Sequence, residues 1–504
     1  MIRIAKTENG LVKGLPAADP RITAFKGIPF AAPPVGENRW RAPQPCKDWD
    51  GTLEAYQFAP ISVQDTPGLG TDIYCREWHV DPDIPMNEDC LYLNVWTNAK
   101  STEDNLPVLV WFFGGAFQWG YPAEMEFDGE RIARRGVVVV TVNYRLNLFG
   151  FLAHPELSKE QPEAPGNFGL LDQQAGIKWV IRNIKAFGGD PNNITICGQS
   201  AGGGSVMQHL TAPSNKGLFQ KAVVMSGIID NPYGESPIVT STKLSDAEAM
   251  GEDFLRYAGA SSLAEARTMD AFYLLQKYNE YTLDRPRFFP VADGKFSVGD
   301  PIKLYAEGKH MGVPIMAGNT TNEFVSFIPA ANEEELKEQA AEIFGDRAEE
   351  FLSYPDATVR HEDLGYAPVV GLECKIKDLF LSNQALGNTA DCYYYRFDAD
   401  IPGWDNPGNF HSVELWFFFE TLAKCWRPFE GRHYDLARYM CNYLTNFVKT
   451  GNPNGTDADG APMPHWEPYT KEHPAEMTFR TDGLVTGKRE ENPFISFLMK
   501  EVHK

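Results

Sequence analysis

The chain has 504 residues, enough for two or more average domains or for one large α/β unit. It is 43% hydrophobic and 23% charged, the balance of a globular protein with a sizeable core, and it has no apolar run long enough to span a bilayer. A formal net charge of −22 repels nucleic-acid phosphates and anionic membrane surfaces, which sets nucleic-acid binding aside.

The opening Met1 to Gly10 lacks the basic, apolar and small-residue regions of a secretory signal. That predicts a cytoplasmic protein, although a trimmed secreted form would read the same. No repeat or low-complexity tract interrupts the sequence, and glycine and proline are spread throughout, so a single continuous domain over residues 1–504 is expected. The apolar run Leu106 to Phe113 reads as a buried strand ending in Gly114-Gly115-Ala116-Phe117, and Gly136 to Asn143 reads as a second. Leu170 to Phe187 places Leu171, Ala175, Trp179 and Ile184 at helical intervals before the stop signal Gly188-Gly189-Asp190-Pro191. Further strands are expected over Asn193 to Cys197, Lys221 to Met225 and Val313 to Ala317, and the charged stretch from about Ser241 to Arg360 predicts a helical cap. Alternating strands and helices imply an α/β fold with a mostly parallel central sheet, helices on both faces, and chemistry at the carboxyl ends of the strands.

After the strand ending at Cys197 comes Gly198-Gln199-Ser200-Ala201-Gly202. This is the pattern of a nucleophile elbow, a tight strand-to-helix turn that lifts a serine hydroxyl above the sheet between glycines that leave it room. A glycine-rich turn with a solvated serine would read the same in isolation; the flanking strand and helix favour the catalytic reading. Acyl transfer also needs donors aimed at the oxyanion, and the backbone amides of Gly114, Gly115 and Ala201 are the candidates. The acid and then the histidine should follow the serine in the chain. Six histidines qualify: His361, His411, His433, His465, His473 and His503. His411 stands out in the loop Gly408-Asn409-Phe410-His411-Ser412 before an apolar run, and Glu323 follows the strand Val313 to Ala317 and a turn, where a strand-end carboxylate belongs; a neighbouring acid stays open on these grounds.

The chain resembles the type-B carboxylesterase/lipase family, whose members include cholinesterases and bacterial para-nitrobenzyl esterases. The likeness spans nearly its whole length: Phe25 to Gly36 with Arg39-Trp40, Glu88 to Trp96, Asn143-Tyr144-Arg145, Gly166 to Gln173, Phe187 to Pro191, the elbow, and Gly451-Asn452-Pro453-Asn454 with Trp466. The resemblance implies the α/β-hydrolase fold and a catalytic triad of Ser200, Glu323 and His411, with Ser226 matching a serine that the family keeps beside the triad. Two positions depart from it. Phe113 stands where many relatives have histidine before the oxyanion glycines, and Gln199 where cholinesterases have glutamate, a loss of charge that disfavours cationic choline esters.

The expected activity is therefore a serine carboxylesterase acting on small-molecule esters, with no metal or organic cofactor. Trp119, Trp416, Phe417 and Phe419 are candidate walls of the substrate pocket and would suit small-acyl or aromatic esters; as a cluster they read equally as core. The alternatives are a feruloyl-type esterase, a catalytically silent binding module of the same fold, and an amidase or peptidase. The eight cysteines form no Cys-x-x-Cys pair, which disfavours zinc and dithiol redox sites; Cys197 reads as a buried hydrophobe, and Cys75 and Cys90 as free thiols rather than a disulfide.

Overall fold

The computed structural model describes residues 1–229, 233, 241–323, 328–361, 365–366, 371–457, 459–490 and 492–502; His503 and the side chain of His361 lie outside the described residues. Eleven strands form one sheet. In chain order they are β1 (Leu15–Pro16), β2 (Thr23–Pro29), β3 (Tyr92–Thr97), β4 (Leu106–Phe112), β5 (Val138–Val142), β6 (Gly189–Gln199), β7 (Lys221–Met225), β8 (Ile315–Thr320), β9 (Cys392–Phe397), β10 (Ala475–Arg480) and β11 (Gly483–Lys488). Across the sheet the order is β11-β10-β9-β8-β7-β6-β4-β5-β3-β2-β1. The seven strands from β10 to β5 are mutually parallel. The pairs at the two margins are antiparallel.

The central strands are continuous apolar runs because both faces are covered, and the period-two alternation of side chains sorts them between two cores. Leu109 and Trp111 of β4 and Val223 and Met225 of β7 enter one core. Val108, Val110 and Phe112, with Ala222 and Val224, enter the other. Cys197 is fully buried in this packing, and all eight cysteines, including Cys75 and Cys90, are free thiols.

The expected helix from Leu170 resolves into α1 (Phe168–Asn183) and a short 3₁₀ turn, Ile184–Phe187, closed by Gly188 at φ +81°. Strand β6 begins at the next residue, so the stop signal is a one-residue pivot. The expected cap is not one body. Leu244–Tyr257 and Ala271–Tyr281 pack on the sheet's larger core, whereas Glu333–Phe344 and Ala348–Leu352 build a small separate core with the C-terminal helix Pro493–Val502. The division falls at β8, whose six residues are all buried in the sheet. Among the described residues, no helix is long and apolar enough to cross a membrane.

Register decides what meets at the sheet's carboxyl edge. Phe112 pairs with Gly198, Met225 with Gln199 and with Gly318, so the chain leaves β4, β6, β7 and β8 at one level. The Gly114 loop, Ser200, Ser226 and Glu323 follow within a few residues of those exits.

Candidate active site

Ser200 sits between β6 and helix α2 (Ala201–Thr211) at φ 55° and ψ −123°, a conformation that side chains other than glycine seldom adopt. The surrounding bonds hold it there: its N–H donates to the Met225 carbonyl at 2.9 Å, and its own carbonyl accepts from the Gly204 N–H at 2.8 Å. The turn is tight enough to require glycine on both sides. A Cβ on Gly202 would lie 2.0 Å from the Phe112 carbonyl oxygen, and one on Gly198 would lie 2.2 Å from the Gly202 oxygen.

Glu323 and His411 come together although 88 positions separate them. Their loops are laced by main-chain and side-chain bonds: Asn322 N–H donates to the Asn409 carbonyl at 3.1 Å, Asn409 N–H returns to Asn322 Oδ1 at 2.8 Å, and the Asn409 side chain donates to Thr321 Oγ1 at 2.9 Å. His411 Nδ1 meets Glu323 Oε2 directly. The other carboxylate oxygen, Oε1, accepts from Ser226 Oγ (2.7 Å), Thr320 N–H (3.0 Å) and Thr320 Oγ1 (3.0 Å). Burial pushes the Glu323 carboxyl up, but the His411 charge and hydrogen bond, with those from Ser226 and Thr320, outweigh it and hold the group below its ordinary value. Ser226 also reaches a second buried carboxyl, Glu414 Oε1, at 3.2 Å. Burial, then the neighbouring Glu323 charge, pushes Glu414 up to about 8, so it keeps its proton at neutral pH. On the other side of the ring, the Gln199 side-chain amide donates to His411 Nε2 at 3.1 Å.

The loop after β4 carries three consecutive positive φ values, at Gly115 (+108°), Ala116 (+52°) and Phe117 (+60°). Gly115 accepts the N–H groups of Gln118 and Trp119, each at 2.9 Å, and Asn147 N–H clamps the Phe117 carbonyl at 2.7 Å. Among the described residues, the Gly115 and Ala116 N–H groups have no acceptor, and the Ala201 N–H, first in its helix, needs none within it. Gly114 is packed under Ser200: a Cβ there would stand 3.1 Å from Ser200 Cβ and 2.9 Å from Gln199 Oε1. Phe113, the departure noted in the sequence, stacks on Tyr144 at 4.3 Å between ring centroids, and the Tyr144 hydroxyl donates to the Phe113 carbonyl at 2.7 Å. An aromatic contact and one main-chain bond thus anchor the loop where the histidine would have been. Arg145, next along, forms a buried ion pair with Asp172 at 2.7 Å and fixes the following turn.

These parts border a cavity of about 550 Å³, with Gly114, Gly115, Ala116, Gln199, Ser200 and His411 at its floor. Trp119 lines it as expected, its indole N–H donating to Asp65 Oδ2 at 2.8 Å. Trp416, Phe417 and Phe419 do not. Trp416 and Phe417 lie in the single helical turn Leu415–Phe418 and Phe419 caps its end, all fully buried and turned into the core, Trp416 against Trp78, Phe417 against Phe397 and Phe419 against Trp111. The remaining walls come from Tyr74, Trp78, Phe127, Ile229 and Leu415, and from the acidic side chains Asp65, Asp72, Glu124 and Glu126 with His79. Sequence reasoning missed these, along with Ala116 and Glu414. Of the other candidate histidines, His433 is buried in a helix cap, bonded to the Glu430 N–H and the Asp400 carbonyl, and His465 and His473 are exposed.

The Carboxylesterase family model matches residues 2–364 and 371–496. The chain belongs to the carboxylesterase family. This carboxylesterase is 34% identical over 480 residues to the para-nitrobenzyl esterase of Bacillus subtilis (strain 168), covering 92% of this chain and 93% of that one. It is 36% identical over 432 residues to the fumonisin B1 esterase of Sphingopyxis macrogoltabida, covering 83% and 75% of the two chains. Among solved structures, a PNB esterase superposes with a TM-score of 0.78 at 30% identity, over 99% of this chain and 100% of that chain. The Geobacillus stearothermophilus carboxylesterase at pH 6.8 gives 0.77 at 31% identity, over 98% and 99%. The fold is the α/β-hydrolase fold, and the carboxylesterase is a carboxylic ester hydrolase. Neither the silent binding module nor the feruloyl-type reading is favoured by these relatives.

Proposed function

We propose that this is a serine carboxylesterase whose nucleophile, base and acid are Ser200, His411 and Glu323, with residues 1–504 working as one catalytic domain. The observation that carries the assignment is the buried imidazole: its Nδ1 is held by Glu323 and its Nε2 faces the cavity floor, where a strained turn presents Ser200. In the proposed cycle Ser200 Oγ attacks the ester carbonyl carbon and its proton passes to His411 Nε2. Glu323 offsets the positive charge of the imidazolium, and amides of the Gly114 to Ala116 turn with that of Ala201 stabilise the oxyanion. The carbon–oxygen bond to the alcohol breaks as His411 returns the proton to the leaving oxygen. Water, deprotonated by the same nitrogen, then attacks the acyl-enzyme, and the acid leaves as the proton returns to Ser200.

The walls favour neutral esters with small or aromatic parts. Tyr74, Trp78, Trp119 and Phe127 supply aromatic surface, and the cavity size is that of small-molecule sites. No lysine or arginine lines it among the described residues; burial keeps the proton on Glu126 and Glu124 pairs with His79 at 3.2 Å, so the charge of Asp65 and Asp72 is what disfavours substrates bearing a carboxylate. An acyl-chain series of para-nitrophenyl esters from acetate upward, with a feruloyl ester included, tests the reading in wild type and Ser200→Ala together. Ester hydrolysis that survives Ser200→Ala undiminished refutes it.

A further inference from the structure

Gln199 ends β6 with its side chain wedged between two parts of the site, and both contacts constrain it. On one side its Oε1 lies over Gly114, where even a methyl group would come within 2.9 Å. On the other its Nε2 stands 3.1 Å from His411 Nε2. Both side chains are nearly inaccessible to solvent, at 2% and 3% exposure. An amide nitrogen can only donate, so in this contact His411 Nε2 carries its lone pair and the ring proton resides on Nδ1, toward Glu323. That lone pair is the one that has to receive the Ser200 proton.

The geometry points to Gln199 as a positioning residue for the base: its amide caps the working lone pair of neutral His411, fixes the Nδ1–H tautomer between turnovers, and gives way to the Ser200 hydroxyl when substrate enters. This rests on the assignment of His411 as the base. The cap favours the neutral imidazole, because a donor at Nε2 stabilises the form that has a lone pair there and opposes the form that has a proton. Once His411 is protonated, rotation of the amide about its last torsion replaces the donor with Oε1, so the same residue accepts from the imidazolium without contributing a charge. A carboxylate at this position could do only the second of these things.

Glu323 takes Nδ1, Glu414 is joined to Glu323 through Ser226, and the Tyr74 hydroxyl donates to the His411 carbonyl at 3.3 Å. The same cavity is lined by Asp65, Asp72, His79, Glu124 and Glu126. In the wild type the ionised Glu323 is in direct contact with Nδ1 of the ring, and Gln199→Glu would place a carboxylate on the opposite nitrogen.

The test is the acid limb of kcat/KM against pH for para-nitrophenyl butyrate in wild type, Gln199→Glu and Gln199→Met, with active sites counted by the p-nitrophenol burst so that misfolded protein drops out. Gln199→Glu is expected to move the limb upward by about one to three pH units, the effect of an opposite charge at hydrogen-bonding distance. Gln199→Met, which keeps the volume and removes the donor, is expected to move it upward by about half a unit to one unit, the worth of one hydrogen bond. Histidine-labelled nitrogen NMR of the resting wild type should show His411 unprotonated at Nε2. Acid limbs of both variants that superimpose on the wild type, or a resting His411 protonated at Nε2, overturn the proposal. Hydrolysis in the wild type that is abolished by Ser200→Ala would leave the esterase reading standing in either event, so the two failures are distinguishable.

Discussion

Replacing Glu323 by glutamine keeps the size and shape of the acid and changes only what it offers to His411. The three donors on Oε1, from Ser226 and Thr320, require an oxygen at that position, so the new amide will orient with its carbonyl toward them. Its NH₂ then faces His411 Nδ1, which has to accept instead of donate. The ring proton moves to Nε2, the nitrogen that should receive the Ser200 proton, and there it also meets the Gln199 amide donor to donor. Loss of the correct tautomer in a triad of otherwise intact geometry typically costs about 10⁴ in kcat, or about 5.4 kcal/mol at about 1.36 kcal/mol per tenfold. Stability should change far less, by about 1 to 3 kcal/mol, the worth of hydrogen bonds to a charged group. The assay is steady-state hydrolysis of para-nitrophenyl butyrate at pH 7, alongside urea denaturation of both proteins. A Glu323→Gln enzyme within tenfold of wild type would refute the assignment of the acid, and a variant that unfolds outright would refute the claim that its role is chiefly chemical.

Gly114→Ala should lower kcat with KM nearly constant, since the new methyl group lies 3.1 Å from Ser200 Cβ and within 2.9 Å of both Gln199 oxygens; overpacking of this kind should also lower stability by about 1 to 3 kcal/mol, read by urea denaturation. Trp119→Ala should change the ranking of acyl chains with little loss of melting temperature, whereas Trp416→Ala should destabilise by about 3 to 5 kcal/mol without changing that ranking, because one tryptophan lines the cavity and the other is core. A hemisuccinate ester should show a KM at least about tenfold above that of the matched neutral ester, falling as salt screens the acidic walls. Glu414 gives a stability test. Its pKa in the folded chain, about 8, exceeds the ordinary 4.5, so its contribution is fully present below about 4.5 and is lost as pH rises toward 8. Melting temperatures of Glu414→Gln should therefore fall less than those of the wild type between pH 5 and 8.

The parts legible in the sequence are those that depend on local pattern. Buried strands announced themselves as apolar runs, and the elbow as glycines around a serine at a strand's end. Glu323 and His411 followed from chain order, strand ends and family likeness, and the structure brings them into contact. The walls were not legible, because Tyr74 and Trp78 arrive on the short helix Tyr74–Glu77 and its cap, more than a hundred residues before Ser200, and nothing in their spacing indicates where that helix lands. Trp416, Phe417 and Phe419 were misread for a related reason: an apolar run beside a catalytic candidate looks the same whether one helical turn aims it at the cavity or at the core. Ala116 was passed over because alanine gives no hint of the positive φ it adopts. Glu414 is a carboxyl whose character comes entirely from its burial beside Glu323.

The bonds that lace Asn322 to Asn409 carry a mechanical consequence. With Glu323 and His411 on loops tied at three points, the two behave as one rigid jaw, and a cavity that breathes to admit substrate would carry them together. The spacing left free to vary is the one between that jaw and the anvil formed by Gln199 and Ser200 on β6. Substitutions that loosen the sheet below β6 should then detune proton transfer while leaving the Glu323 to His411 contact intact, and those that cut the lacing should do the reverse.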